Sequence, residues 1–141
     1  MKERAFSFWQ KWLTWANVMA LMAGLIVAFA GNSFVFSLYN AYTEEVFFEG
    51  IGMEGRPLAF KNWLFGIIGG TIVGFHSLMV MISENAFKKM EKWAYWAMWM
   101  GLVLWFLIDS SLSIFYGAMY NVMLINLPSF VLIALPLVAT R

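Results

Sequence analysis

Long stretches without a charged side chain dominate this chain. Trp12–Thr43 holds no Asp, Glu, Lys or Arg, and neither does Asn62–Ser83. Trp93–Thr140 holds a single charge, Asp109, over a length sufficient for two membrane crossings. A bilayer core about 30 Å thick takes roughly 20 apolar residues per helix. The pattern predicts an all-α fold, a polytopic membrane four-helix bundle. Its helices are expected over about 12–39, 61–83, 92–117 and 120–139, in one transmembrane domain covering 1–141.

Composition narrows the function classes. Of 141 residues, 62% are hydrophobic and 12% charged, about half the charged fraction of a soluble domain. Four spans with their loops are expected to use the 141 residues given, which leaves no room among them for a second domain or a water-soluble catalytic module. Cysteine is absent, so disulfides, thiol catalysis and cysteine-ligated metals are out. The net charge of +1, with no basic cluster beyond those flanking the helices, argues against a nucleic-acid partner. At the N-terminus, Ala28-Phe29-Ala30 resembles a signal-peptidase site. The apolar run continues past it to Leu38, which favours an uncleaved first helix.

The basic residues sort by side. Lys2, Arg4 and Lys11 precede helix 1, Lys88, Lys89 and Lys92 lie between helices 2 and 3, and Arg141 ends the chain. The loop after helix 1 instead holds Glu44, Glu45, Glu49 and Glu54 against Arg56 and Lys61. The positive-inside rule therefore predicts a multi-pass protein of the cell's inner (plasma) membrane with both termini cytoplasmic. Trp9, Trp12 and Trp15, and again Trp93, Trp96 and Trp99, mark the inner interface, where indoles favour the headgroup level.

An offset of 81 residues superposes Lys11-Trp12-x-x-Trp15-Ala16 on Lys92-Trp93-x-x-Trp96-Ala97. Met19 then meets Met100, Leu21 meets Leu102, Phe34 meets Phe115, and Tyr39-Asn40 meets Tyr120-Asn121. Two parallel helix-pair repeats, related by a pseudo-two-fold axis along the membrane normal, would produce this pattern.

Small residues suggest how the helices pack. Gly66, Gly70 and Gly74 recur every four positions on helix 2, and Ala16, Ala20, Gly24 and Ala28 do so on helix 1. Such stripes let a second backbone approach, and helix packing is preferred here to ligand contact. The spacing leaves open whether the partner helix belongs to the same chain or to another copy.

Asp109 is the most informative single residue. A carboxylate deep in a span costs about 2.5–3.5 kcal/mol on insertion scales, so it normally faces protein or a watery cavity. It lies about 25 Å of helix rise above Lys92, in the outer half of the bilayer. Ser110, Ser113 and Tyr116 surround or continue its face, and Thr71 of helix 2 falls near its depth. The sharp reading is a proton-carrying carboxyl in a cavity. The plain one, preferred, is a hydrogen-bonded carboxyl that pins helix 3 to its neighbours. A second polar site is centred on His76, the sole histidine. Asn62, Gly69, His76 and Ser83 recur every seven residues and share one stripe facing the bundle. Asn17 and Thr14 lie at the right depth for His76, whereas Asp109 is too far out. No ligand cluster calls for a metal or a cofactor. In the outer loop, Glu45 and Glu49 could hold a cation, but a solvated acidic loop with a surface-lying amphipathic segment is the simpler reading.

Three motifs carry a resemblance: Gly69-Gly70-Thr71, the loop Phe87-Lys88-Lys89-Met90-Glu91-Lys92-Trp93-Ala94, and Trp105-Phe106-Leu107-Ile108-Asp109. Together with Tyr116-Gly117 and Asn121 they resemble small bacterial four-helix integral membrane proteins of a family of unknown function. The likeness covers the chain from Leu64 onward. It implies the four-span topology and directs attention to Asp109, with no activity attached.

Three functions compete. The first is an oligomeric scaffold or accessory subunit of a membrane complex, partnered by the lipid bilayer and by further copies or other membrane subunits. The second is a small proton-coupled carrier or channel using Asp109. The third is a lipid- or quinone-binding protein. The absence of a catalytic cluster weighs against an enzyme. A watery cavity touching Asp109 would favour transport, a dry packed interior the scaffold, and an apolar slot open to lipid the third reading.

Overall fold

The computed structural model describes residues 3–141, so Lys2, counted above with the basic end, lies outside the described residues. The described chain is helical throughout: α1 (Glu3–Ala30), α2 (Ser37–Phe48), α3 (Gly55–Asn85), α4 (Lys92–Phe115) and α5 (Met119–Ala139). All but α2 are long and apolar enough to cross a membrane. The four run up and down in a ring. α1 lies between α3 and α5, and α4 between α5 and, more lightly, α3.

The first helix departs from its expected span. It ends at Ala30, and the residues to Leu38 turn the chain into α2. Gly31-Asn32-Ser33 has low helix propensity, and a side chain on Gly31 would meet the Phe65 ring at 2.5 Å. The Asn40 amide then donates to the Gly31 carbonyl at 3.0 Å, satisfying a backbone acceptor left by the ended helix. A charge-free run cannot distinguish a spanning helix from an apolar helix lying across the bundle end. α3 likewise starts six residues before its expected position, at Gly55 rather than 61. Pro57 falls in its first turn, where the missing N–H costs no hydrogen bond.

The core forms where the four spanning helices meet. Leu13 of α1, Met79 of α3, Met98 and Leu102 of α4, and Ile133 and Leu137 of α5 are buried together. Phe87, in the α3–α4 turn, closes the basic end by stacking on Phe6 with ring centroids 5.5 Å apart. Large apolar side chains point outward instead, among them Phe29, Phe115 and Met19. Gln10, Asn17, Ser83, Ser110, Ser113 and Asn126 are buried. Polar groups inside and hydrocarbon outside is the arrangement a bilayer stabilises and water does not.

The 81-residue offset carries through to helix rotation in the basic half. Leu13 and Ala94 are both fully buried, as are Asn17 and Met98, while Trp15 and Trp96 are 66% and 67% exposed. The correspondence lapses further along, where Gly24 aligns with Trp105.

Pro136 lies inside α5 and has no N–H to give the Leu132 carbonyl. The Trp12 indole supplies the missing donor, Nε1 to Leu132 O at 3.1 Å. In hydrocarbon an unpaired carbonyl is costly, so this bond both tolerates the proline and ties α1 to α5.

Candidate functional site

Two polar centres lie inside the bundle at different depths. The outer one gathers on Asp109. Its Oδ1 accepts from Asn121 Nδ2 at 2.8 Å, Asn126 Nδ2 at 2.8 Å and Ser113 Oγ at 3.2 Å. Asn126 also donates to Ser110 Oγ at 3.1 Å and is completely buried. The network leaves the span through Tyr39 of α2, whose hydroxyl donates to Asn121 Oδ1 at 3.1 Å. Burial first, then neighbouring Tyr120 and Asp109, raise the Tyr39 phenol above its ordinary range. It therefore stays a donor. Tyr120 packs edge-on against Tyr39 at 5.0 Å and shares a 2.8 Å hydrogen bond with Thr43.

A backbone irregularity makes this centre. In an α-helix, residues five apart point about 140° away from each other. Val122–Asn126 forms a π-turn, whose wider ring holds an extra residue and swings Asn126 back towards the face of Asn121. Both amides then reach one carboxylate oxygen.

The inner centre joins α1 to α3. Asn17, fully buried, donates to the Leu13 carbonyl at 2.8 Å, so its Oδ1 is the acceptor for His76 Nδ1 at 2.8 Å. That makes Nδ1 the donor of the pair. Toward the basic end, Thr14 shares a 2.8 Å bond with Ser83, and Glu84 Oε1 accepts from Thr14 at 2.8 Å and Gln10 at 2.9 Å. Glu84 also pairs with Lys88 at 3.6 Å.

The seven-residue stripe of α3 thus meets α1 and the turn after it over its whole length. Asn62 pairs with Asn32 at 2.7 Å, His76 with Asn17, and Ser83 with Thr14. Between them, a Cβ placed on Gly69 would lie 2.5 Å from the Gly24 carbonyl oxygen and 2.6 Å from the Ala28 nitrogen. At Gly24 and Gly69 the two backbones come close enough that neither position has room for a side chain.

Several expected neighbours are elsewhere. Gly66, Gly70 and Gly74 do not pack within the chain: a Cβ at any of them would meet nothing within 4 Å. A spacing of four advances about 40° per step, whereas seven drifts back only about 20°, and the seam follows the seven. Thr71 does not join Asp109. It is two residues from Gly69, hence on the opposite face, exposed, and bonded only to its own Ile67 carbonyl at 3.0 Å. Tyr116 is also exposed, because α4 ends at Phe115 and its helical relation to Asp109 ends there. Ser110 and Ser113 do line the Asp109 centre. Ala16 packs against the core edge, while Ala16 and Ala20 both line an open groove between α1 and α5.

Asn126 was not singled out from the sequence, and Asn121 was reached only through the 81-residue offset and the family likeness. The signal for both was their chemistry, since an amide within a span seeks an acceptor. Lys61, counted with the outer loop, is buried at 7% exposure. Its ammonium donates to Asn32 Oδ1 at 2.5 Å and Asn40 Oδ1 at 3.0 Å, and lies 5.0 Å over the Phe65 ring. It clasps the α1–α2 turn to α3.

Fold and centres together define an all-α helical bundle with four helices long and apolar enough to cross a membrane. Among the described residues, no three of His, Cys, Asp and Glu gather as a metal site. Compared with protein-family models, curated proteins and solved structures, the chain matches none.

Proposed function

We propose that this chain is a multi-pass scaffold or accessory subunit of the plasma membrane, assembled through α3 with further copies of itself. One observation carries the reading. Gly66, Gly70 and Gly74 bare the backbone at three points over about two turns of a spanning helix, with nothing from their own chain against them. In lipid no hydrophobic force joins helices, and a face of small residues is the usual means of close association. The chain's internal contact already uses a different glycine, Gly69, so the second stripe is free for a neighbour.

The interior supports a scaffold over a carrier. Met98, Leu102, Ile133 and Leu137, each at most 2% exposed, fill the core on the basic side of the Asp109 centre. Asp109 itself is engaged by three donors, which suits a pin between α4 and α5. The orientation follows from the basic residues: Arg4, Lys11, Lys88, Lys89, Lys92 and Arg141 fall at one end of the bundle, which is the cytoplasmic end.

The test is assembly mass in detergent. Gly70→Leu is expected to shift the protein to smaller species while its helical signal and melting temperature stay at the parent's values. An unchanged mass would remove the self-association reading. Cysteines placed at Glu54 and Lys89 check the orientation, since only Glu54→Cys should react with an impermeant external reagent.

A further inference from the structure

The groove between α1 and α5 is not used by either polar centre. It has a volume near 640 Å³, within the roughly 300–1,000 Å³ of small-ligand pockets. Its floor is Ala16, Ala20 and Ala23, and Ile133 and Leu132 of α5 form the opposite wall. Trp15 and Met19 stand at its rim, 66% and 67% exposed. From Lys11 to Ala23 the groove extends about 18 Å, close to the roughly 15 Å hydrocarbon depth of one leaflet. Phe8 and Lys11 line the end nearest the helix terminus. Arg4 is seven residues earlier, on the same face to within about 20°. Among the described residues neither cation is in an ion pair.

The shape selects the occupant. A helix is about 10–12 Å across and would have to displace Trp12, Trp15 and Met19 to reach the alanine floor. An acyl chain needs no such displacement. The Trp12 indole N–H is committed to the Leu132 carbonyl at 3.1 Å, so the charged contact left for a ligand lies at one end only, with the Ser129 hydroxyl a neutral polar group further along the wall. An apolar slot one leaflet long, with Lys11 at its polar mouth and Arg4 about two helical turns beyond it on the same face, matches one lipid chain below one anionic headgroup.

We propose that the α1–α5 groove binds an anionic glycerophospholipid of the leaflet at the basic end, its acyl chain on Ala16, Ala20 and Ala23 and its phosphate beside Lys11 and Arg4. The site is on α1 and α5, away from the outward glycines of α3, so it stands or falls apart from the self-association reading.

The experiment is native mass spectrometry of the purified protein with equal amounts of phosphatidylglycerol and phosphatidylcholine of identical chains. One retained lipid per chain is expected, with phosphatidylglycerol preferred on the order of tenfold for two interfacial cations. Ala20→Phe should lose the retained lipid of either headgroup, and so should Ala23→Phe, whose site is exposed and tolerates the added ring without refolding. Lys11→Gln combined with Arg4→Gln should keep a lipid but lose the headgroup preference. Retention at parental level in both phenylalanine variants would overturn the proposal. So would a preference unchanged by the double glutamine variant, or a fall in oligomer mass with Ala23→Phe while lipid is retained, which would assign the groove to a second copy.

Discussion

Where α1 crosses α3, Gly24 and Gly69 bring the two backbones into contact. Where α4 meets α5, Asp109 instead gathers the amides of Asn121 and Asn126 at 2.8 Å each. Ala28 is itself part of the Gly69 contact. One helix pair therefore places a methyl against bare backbone, and the other a carboxylate against amides. Hydrocarbon offers helices no hydrophobic gain from meeting, which leaves dispersion at close range or hydrogen bonding. Here the α1–α3 pair adds close backbone contact to its hydrogen bonds, and the α4–α5 pair gathers its hydrogen bonds on one carboxylate. The difference predicts opposite sensitivities, since the first seam tolerates no added volume and the second no lost acceptor.

The largest effect should come from volume in the first seam. Gly69→Leu has no room against the Gly24 carbonyl and is expected to cost about 3 kcal/mol or more, seen as loss of the folded fraction in detergent. Loss of the acceptor in the second seam comes next. Asp109→Leu strands two amide groups and should cost about 2–3 kcal/mol. Asp109→Asn, which keeps an acceptor oxygen, should cost less than about 1.5 kcal/mol and preserve assembly. If the leucine and asparagine variants melt together, the carboxylate is not the pin. A smaller effect belongs to the α1–α5 tie. Trp12→Phe should cost about 0.6 kcal/mol, and nothing when Pro136→Ala restores the N–H that Leu132 lacks. Equal losses in both backgrounds would show that the indole bond does not compensate the proline. Smallest is Thr71→Val, exposed and away from both seams, expected within about 0.5 kcal/mol. A larger loss would place Thr71 in a contact this account lacks.

Much of the fold was legible because bilayer physics is coarse. Charge-free length marks spans, and a polar stripe every seven residues marks the face that stays on a helix seam, as Asn62, Gly69, His76 and Ser83 do. Depth arithmetic alone placed His76 beside Asn17. The glycine motif left its partner open because a four-residue repeat states only that a face is smooth, and Gly66, Gly70 and Gly74 turn that face away from their own chain. The end of α1 was hidden because Ala30 and Leu38 lie in one apolar run. Only the packing of Phe65 against Gly31 and the reach of Asn40 decide the turn. Asp109 was singled out for its charge, but its partners depend on the π-turn at Val122–Asn126, a change of period that no regular helical wheel contains. Thr71 and Tyr116 were chosen by depth and by spacing. Depth says nothing of rotation, and spacing fails past the end of α4.

The most direct test adds one methyl at each of two adjacent glycines and compares melting temperatures in the same detergent. At Gly69 a Cβ would lie 2.5 Å from a backbone oxygen of the facing helix, and at Gly70 it meets nothing within 4 Å. Gly69→Ala should lower the melting temperature by several degrees or more. Gly70→Ala should leave it unchanged or raise it slightly, since alanine favours helix by about 1 kcal/mol over glycine. Equal shifts, or the larger loss at Gly70, would contradict a seam built on Gly24 and Gly69.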